Sequence, residues 1–227
     1  MTKIEPELIR RWVNGWTEAR SLPEAEAIEP AGDGLRSECR QPGRDVQVFA
    51  LRADEQPESV ARLAAGVAAA TRTTWLTVPT LRPVAVEAVV AAAGLELVFR
   101  SECFMTTDLT EHPKYGPAAP YEREVRTDGP VTVVSLHDAS GELAARGTMA
   151  VVGAHAIADR IETDAAHRRR GLGRAMMSAL AESAVSQGAR TGLLIASEEG
   201  RRLYASLGWH HAADVLIAQG PVAPSIR

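Results

Sequence analysis

The sequence predicts an α/β (α+β) fold, a mixed central sheet flanked by helices and built in two similar halves. Three observations carry that prediction. Apolar positions switch repeatedly between the two-residue period of strands and the 3.6-residue period of helices. A basic, glycine-containing turn, Arg168-Arg169-Arg170-Gly171-Leu172-Gly173, sits where a strand should hand over to a helix. The order strand, helix, strand, helix, glycine, strand occurs once from Asp45 and again from Ala156.

Residues 4–20 place Leu8, Ile9, Trp12 and Trp16 at helical spacing, and the two tryptophans read as packing residues. A stretch broken by proline and glycine, Pro23 to Gly43, holds one candidate strand at Leu35–Arg40. Asp45–Leu51 reads as a further strand, Glu58–Ala70 as a helix, Thr74–Val78 as a strand and Val84–Ala93 as a helix ending at Gly94. Leu95–Leu109 is long and strand-like. Glu111–Tyr121 carries three prolines and a glycine, the composition of a linker. Val131–Leu136 and Leu143–Val152, joined through Asp138-Ala139-Ser140-Gly141, read as a hairpin. Ala156–Thr163 is the strand before the basic turn, and Leu172–Val185 the helix after it. Gly192–Ala196 has the continuous apolar character of a buried parallel strand. Glu198–Ser206 is a short helix stopped at Gly208, and Trp209–Ala218 closes the series.

The chemistry concentrates at the basic turn. A helix N-terminus offers backbone N–H groups without intrahelical partners and the positive end of the helix dipole. Gly171 and Gly173 carry no side chain to keep a diphosphate off the backbone. The three arginines suit phosphate. The first copy differs here: its turn is Ala53-Asp54-Glu55-Gln56-Pro57, acidic and without glycine, which repels a diphosphate.

The R-x-x-G-x-G turn and the later Leu203-Tyr204-Ala205-Ser206-Leu207-Gly208-Trp209 segment resemble two motifs of the GNAT N-acetyltransferase superfamily, over about residues 124–218. Trp209 replaces the more usual aromatic. The resemblance implies a tandem architecture. Residues 1–112 would be a degenerate acetyltransferase-like half and residues 113–227 the half that binds acetyl-CoA. It implies that Arg168, Arg169, Arg170, Gly171, Leu172, Gly173 and Arg174 hold the pyrophosphate. It also implies that the Thr163 N–H faces the thioester carbonyl, with Ile161 and Glu162 along the pantetheine arm, and that Tyr204 is the general acid toward the departing thiolate. Ser197 falls where the family often has an asparagine that reaches the pantetheine, and serine has the shorter reach. For the base, Glu162 and Asp159 are both candidates; strict alternation puts them on opposite faces. Either also reads as a surface carboxylate, and water can carry the proton instead. One departure stands out: Tyr121 to Val131 leaves no room for the two helices that ordinarily line the acceptor side. N-terminal segments such as the 4–20 helix are then expected to wall the acceptor pocket.

Composition sets further expectations. At 227 residues the chain can bury a substantial core, and a net charge of −4 argues against a nucleic-acid partner. Cys39 and Cys103 are too few and too far apart for a disulfide framework, and the six histidines lack metal-ligand spacing. Neither a signal peptide nor a membrane span is expected, so the protein reads as cytoplasmic. The expected activity is direct acetyl transfer from acetyl-CoA to a primary amine of a small molecule or peptide, without a metal. A non-catalytic acyl-CoA-binding regulatory module is the alternative, and an enzyme acting on aminoacyl-tRNA fits the acidic charge less well. A homodimer formed through sheet edges or the N-terminal helix is compatible with the sequence.

Overall fold

The computed structural model describes residues 3–28 and 33–220. In chain order the first elements are α1 (Pro6–Ala19), β1 (Glu26–Ala27), β2 (Gly34–Gln41), β3 (Arg44–Ala50), α2 (Pro57–Ala68), β4 (Thr74–Thr80) and α3 (Pro83–Ala92). Then come β5 (Glu96–Asp108), β6 (Glu122–Asp128), β7 (Val131–His137), β8 (Leu143–Val152), β9 (His155–Thr163), α4 (Leu172–Ser186), β10 (Thr191–Ala196), α5 (Glu198–Ala205) and β11 (His210–Gln219). Each expected strand and helix is present within a few residues. The additions are the two-residue β1 and β6, whose sequence EREVRTD holds a single apolar residue and is exposed throughout. An edge strand of this kind has no buried face to signal itself in the sequence.

The chain forms two compact units. One holds the described residues up to 17, residues 22–104 and the strand from residue 211 onward. Its strands run β1-β2-β3-β4-β11. β2 pairs antiparallel with β3, β3 parallel with β4, and β4 antiparallel with β11. Helices α2 and α3 both start on proline, whose fixed φ suits the first helical position. Val60, Leu63, Ala64 and Val67 of α2 are buried with Val46, Val48, Leu76 and Val78 of the sheet. Trp12 and Trp16 of α1 are buried, each edge-on to Phe49 at 5.7 and 5.2 Å between ring centroids, so they are packing residues as expected.

The other unit holds residues 18–21 and 105–210. Its strands run β10-β9-β8-β7-β6, antiparallel except for the parallel pair β9–β10. The end of β5 joins it, where Leu109 N donates to Arg190 O at 2.7 Å. Helix α4 buries Leu172, Met176 and Leu180. Its approach to β8 depends on Gly147. A Cβ there would lie 2.7 Å from Ile161 Cδ1, 2.9 Å from Met176 Sδ and 3.1 Å from Leu180 Cδ1.

Candidate active site

Strands β9 and β10 pair only from His155–Thr191 to Ile157–Leu193. β9 nevertheless continues to Thr163 and β10 to Ala196, so the two part company and leave a cleft within the second unit. In an antiparallel ladder, residues alternate between facing their partner and facing away. Asp164 N donates to Ala144 O at 2.9 Å. Its neighbour Thr163 therefore turns its N–H away from β8, toward the opened side. Thr163 O accepts from Arg168 Nε at 3.3 Å, which ties the strand end to the basic turn.

A bulge interrupts β9. Thr148 faces Asp159 and Arg146 faces Glu162, so Arg160 and Ile161 together oppose Gly147. Arg160 takes a left-handed φ of 51° to make this possible. Since residues 146 and 148 share a face of β8, Asp159 and Glu162 also share one. The strict alternation expected from sequence is thereby corrected: the extra residue restores the two carboxylates to the same side.

These two acids differ in their surroundings. Asp159 is clasped by Arg20, Nε to Oδ2 at 2.7 Å and Nη2 to Oδ1 at 2.9 Å. The pair is largely buried, with side chains 15% and 12% exposed. Glu162 is exposed, and among the described residues no cation pairs with it. Arg20 was not legible as a site residue, because its partner lies 139 positions away.

The basic turn has the geometry that anion binding needs. Gly171 caps α4 in the left-handed region (φ 80°), and Arg169 is left-handed as well (φ 63°). Alternating right- and left-handed residues turn successive N–H groups toward one point. Among the described residues, nothing accepts from the N–H groups of Arg169, Arg170, Gly171, Leu172 or Gly173, whereas Arg174 N donates to Gly171 O at 3.1 Å. At this helix N-terminus, beside the opened strand pair, five successive N–H groups are left without a protein acceptor. Gly173 also lets α5 approach: a Cβ would stand 2.8 Å from Leu203 Cδ2.

Of the remaining expected residues, Tyr204 is buried on α5, 7% exposed, with its ring 6.0 Å from that of Trp209. Burial, and secondarily the Asp159 charge, hold its phenol well above the ordinary value, so it keeps its proton. No described residue hydrogen-bonds its hydroxyl. Ser197 is the N-cap of α5, accepting from Gly200 N at 3.2 Å. Arg174 reaches Ser206 Oγ at 3.4 Å, and Arg170 donates to the Tyr121 hydroxyl at 2.9 Å. Tyr121 was missed by sequence reasoning, which saw only the prolines around it.

Among the described residues no cluster of His, Cys, Asp and Glu could hold a metal ion. Among the described residues no helix is long and apolar enough to cross a membrane.

Comparison with known proteins agrees with this geometry. No curated protein matches the chain in sequence. The fold is similar to that of a GCN5-related N-acetyltransferase from Kribbella flavida, at TM-score 0.68 and 14% identity over 96% of each chain. It is similar also to a GCN5-related N-acetyltransferase from Sphaerobacter thermophilus (TM-score 0.57, 13% identity, 97% of each chain). A third is a tandem GNAT protein from the clavulanic acid biosynthesis pathway, at TM-score 0.55 and 13% identity over 99% of this chain and 98% of that one. At such identities the likeness is one of fold. The match in sequence is to the acetyltransferase (GNAT) family, over residues 98–209, which takes in the splayed strands, the basic turn and Tyr204. Residues 98–209 thus form a GNAT acetyltransferase domain.

Proposed function

We propose that the protein is an acetyl-CoA-dependent N-acetyltransferase that moves the acetyl group directly to a primary amine of a small molecule or peptide. The observation that carries this reading is the run of five N–H groups, Arg169 to Gly173, without a protein acceptor at the mouth of the β9–β10 cleft. These donors hold the diphosphate, and the N–H of Thr163 polarises the thioester carbonyl. A backbone donor aimed at developing oxyanion charge contributes about 3 kcal/mol in such sites. As the amine nitrogen bonds to the carbonyl carbon and the carbon–sulfur bond breaks, Tyr204 donates its proton to the leaving sulfur. Glu162, directly or through water, takes the proton that the amine gives up. Asp159 is the poorer base, because both of its oxygens already accept from Arg20. Direct transfer is favoured because neither Cys39 nor Cys103 lies in the cofactor motifs, and both are buried.

The first half reads as a degenerate copy, with residues 1–112 and 113–227 as the two repeats. Its β2-β3-α2-β4 order matches β8-β9-α4-β10, yet β3 runs only one residue beyond its last pairing at Phe49–Thr77. No cleft opens there. The Asp54 carboxylate fills the corresponding loop, accepting from Thr80 Oγ1 at 2.7 Å, Leu81 N at 3.0 Å and Ile4 N at 3.3 Å.

Calorimetric titration with acetyl-CoA, with ATP as the comparison, tests the reading. Saturable binding of one acetyl-CoA per chain is expected, and none of ATP. Failure to bind acetyl-CoA would remove the proposal. Binding without thiol release across a broad panel of amines would replace it with the acyl-CoA-binding regulatory module.

A further inference from the structure

The stretch from His112 to Tyr121 has a linker's composition, but it is docked along α4. Ser178 Oγ donates to Pro113 O at 2.8 Å and accepts from Tyr115 N at 3.0 Å. The Tyr115 ring lies 5.8 Å from the Arg174 guanidinium. At the far end Tyr121 is buried, 8% exposed, and edge-on to His167 at 5.7 Å between centroids.

The Tyr121 hydroxyl joins two residues of the basic turn. It lies 2.9 Å from Arg170 Nη1 and 3.0 Å from His167 Nδ1. A guanidinium can only donate, so the hydroxyl oxygen accepts from Arg170, and the tautomer of His167 sets which partner donates in the bond to Nδ1. The other ring nitrogen, Nε2, faces Asp138 Oδ2 at 3.9 Å. Asp138 is itself immobilised: its Oδ1 accepts from Ser140 N at 2.9 Å, Ser140 Oγ at 2.7 Å and Glu142 N at 3.1 Å, in the turn joining β7 to β8. Hydrogen bonds thus link His167 through Tyr121 to Arg170, and the β7–β8 turn sets a carboxylate beside the imidazole. These contacts hold the basic turn on both sides of the left-handed Arg169.

We infer that Tyr121 is a positioning residue for diphosphate binding. Its hydroxyl holds His167 and Arg170 so that the N–H groups of Arg169 to Gly173 converge on the anion. The inference rests on the acetyl-CoA reading above, and it makes the effect of Tyr121 specific to the diphosphate part of the ligand.

The test is calorimetry on Tyr121→Phe, which keeps the ring and removes the hydroxyl, with acetyl-CoA and with S-acetylpantetheine, which lacks the diphosphate. The Kd for acetyl-CoA should rise about tenfold, the scale of one charge-assisted hydrogen bond, while that for S-acetylpantetheine stays within twofold. Equal weakening of both ligands, or of neither, overturns the inference. A second pair guards against misfolding. His167→Asn keeps an acceptor near the Nδ1 position and should bind acetyl-CoA like the wild type, whereas His167→Leu should match Tyr121→Phe. If the wild-type protein binds no acetyl-CoA, the functional reading falls on its own. Amide exchange over residues 167–173 then decides the positioning role: faster exchange in Tyr121→Phe supports it, and unchanged exchange overturns it.

Discussion

Arg20 and Asp159 meet through two parallel hydrogen bonds of 2.7 and 2.9 Å, a fork-to-fork pairing that fixes both side chains. Asp159 sits immediately before the β9 bulge and is the charge felt by Tyr204. Arg20→Ala leaves a largely buried carboxylate beside that phenol with the half-exposed Arg160, 3.9 Å away, in place of the close pair, and should cost about 2–4 kcal/mol. In a chain of this size that is a Tm loss of about 4–16 °C by calorimetry. The double variant Arg20→Ala/Asp159→Ala should recover part of the loss. A single variant as stable as wild type would show that the pair contributes nothing.

Glu162 shares the face of Asp159 but has no cation holding it. Glu162→Gln should lower kcat/KM for the amine acceptor about 10–100-fold while leaving the Kd for acetyl-CoA unchanged. Full activity in the variant would assign the proton transfer to water.

Tyr204→Phe should reduce kcat about 100-fold with little change in acetyl-CoA affinity. Burial and the Asp159 charge raise the phenol above its ordinary value of about 10. The wild-type rate should therefore show no alkaline loss at that pH from this group. A fall in rate there that vanishes in the phenylalanine variant would contradict the assignment.

Gly147 makes room for three side chains at once. Gly147→Ala pushes Ile161, Met176 and Leu180 apart and should cost about 1–3 kcal/mol. Because Ile161 belongs to the bulge, acetyl-CoA affinity should fall together with Tm. A drop in Tm with unchanged affinity would separate the bulge from the ligand.

Glu102 of β5 is held above the ordinary carboxylate range by burial, partly offset by the charge of Arg44. A carboxyl with a raised folded-state pKa favours folding fully below its unfolded value. That contribution fades as pH rises through the folded value. Glu102→Gln should therefore raise Tm at neutral pH, and the gain should vanish below about pH 4. A gain that persisted in acid would point to packing instead of ionisation.

Much of this architecture was legible because the elements have strong periods: α4, β10 and β11 begin and end within two residues of expectation. The basic turn was legible because glycine and arginine together leave few other uses for a strand-to-helix junction. What escaped notice has physical causes. The bulge at Arg160 uses a non-glycine residue at positive φ, so no composition signal marks it, and one extra residue reverses every facing assignment beyond it. β6 has no apolar face. Arg20 and Tyr121 act through partners 139 and 46 positions away, and periodicity carries no information about such distances.

The pairing of β11 with β4 bears on how the chain is made. Trp75 to Thr80 line up with Gln219 to Asp214, so a strand that emerges early from the ribosome waits for one made much later. The first unit, although mostly translated first, is completed last. Its β4 edge stays open to stray pairing until β11 has been made, a hazard shared by chains rich in distant strand contacts. A fragment stopping after the family segment at residue 209 would keep the basic turn and Tyr204, yet release the N-terminal sheet with a strand missing.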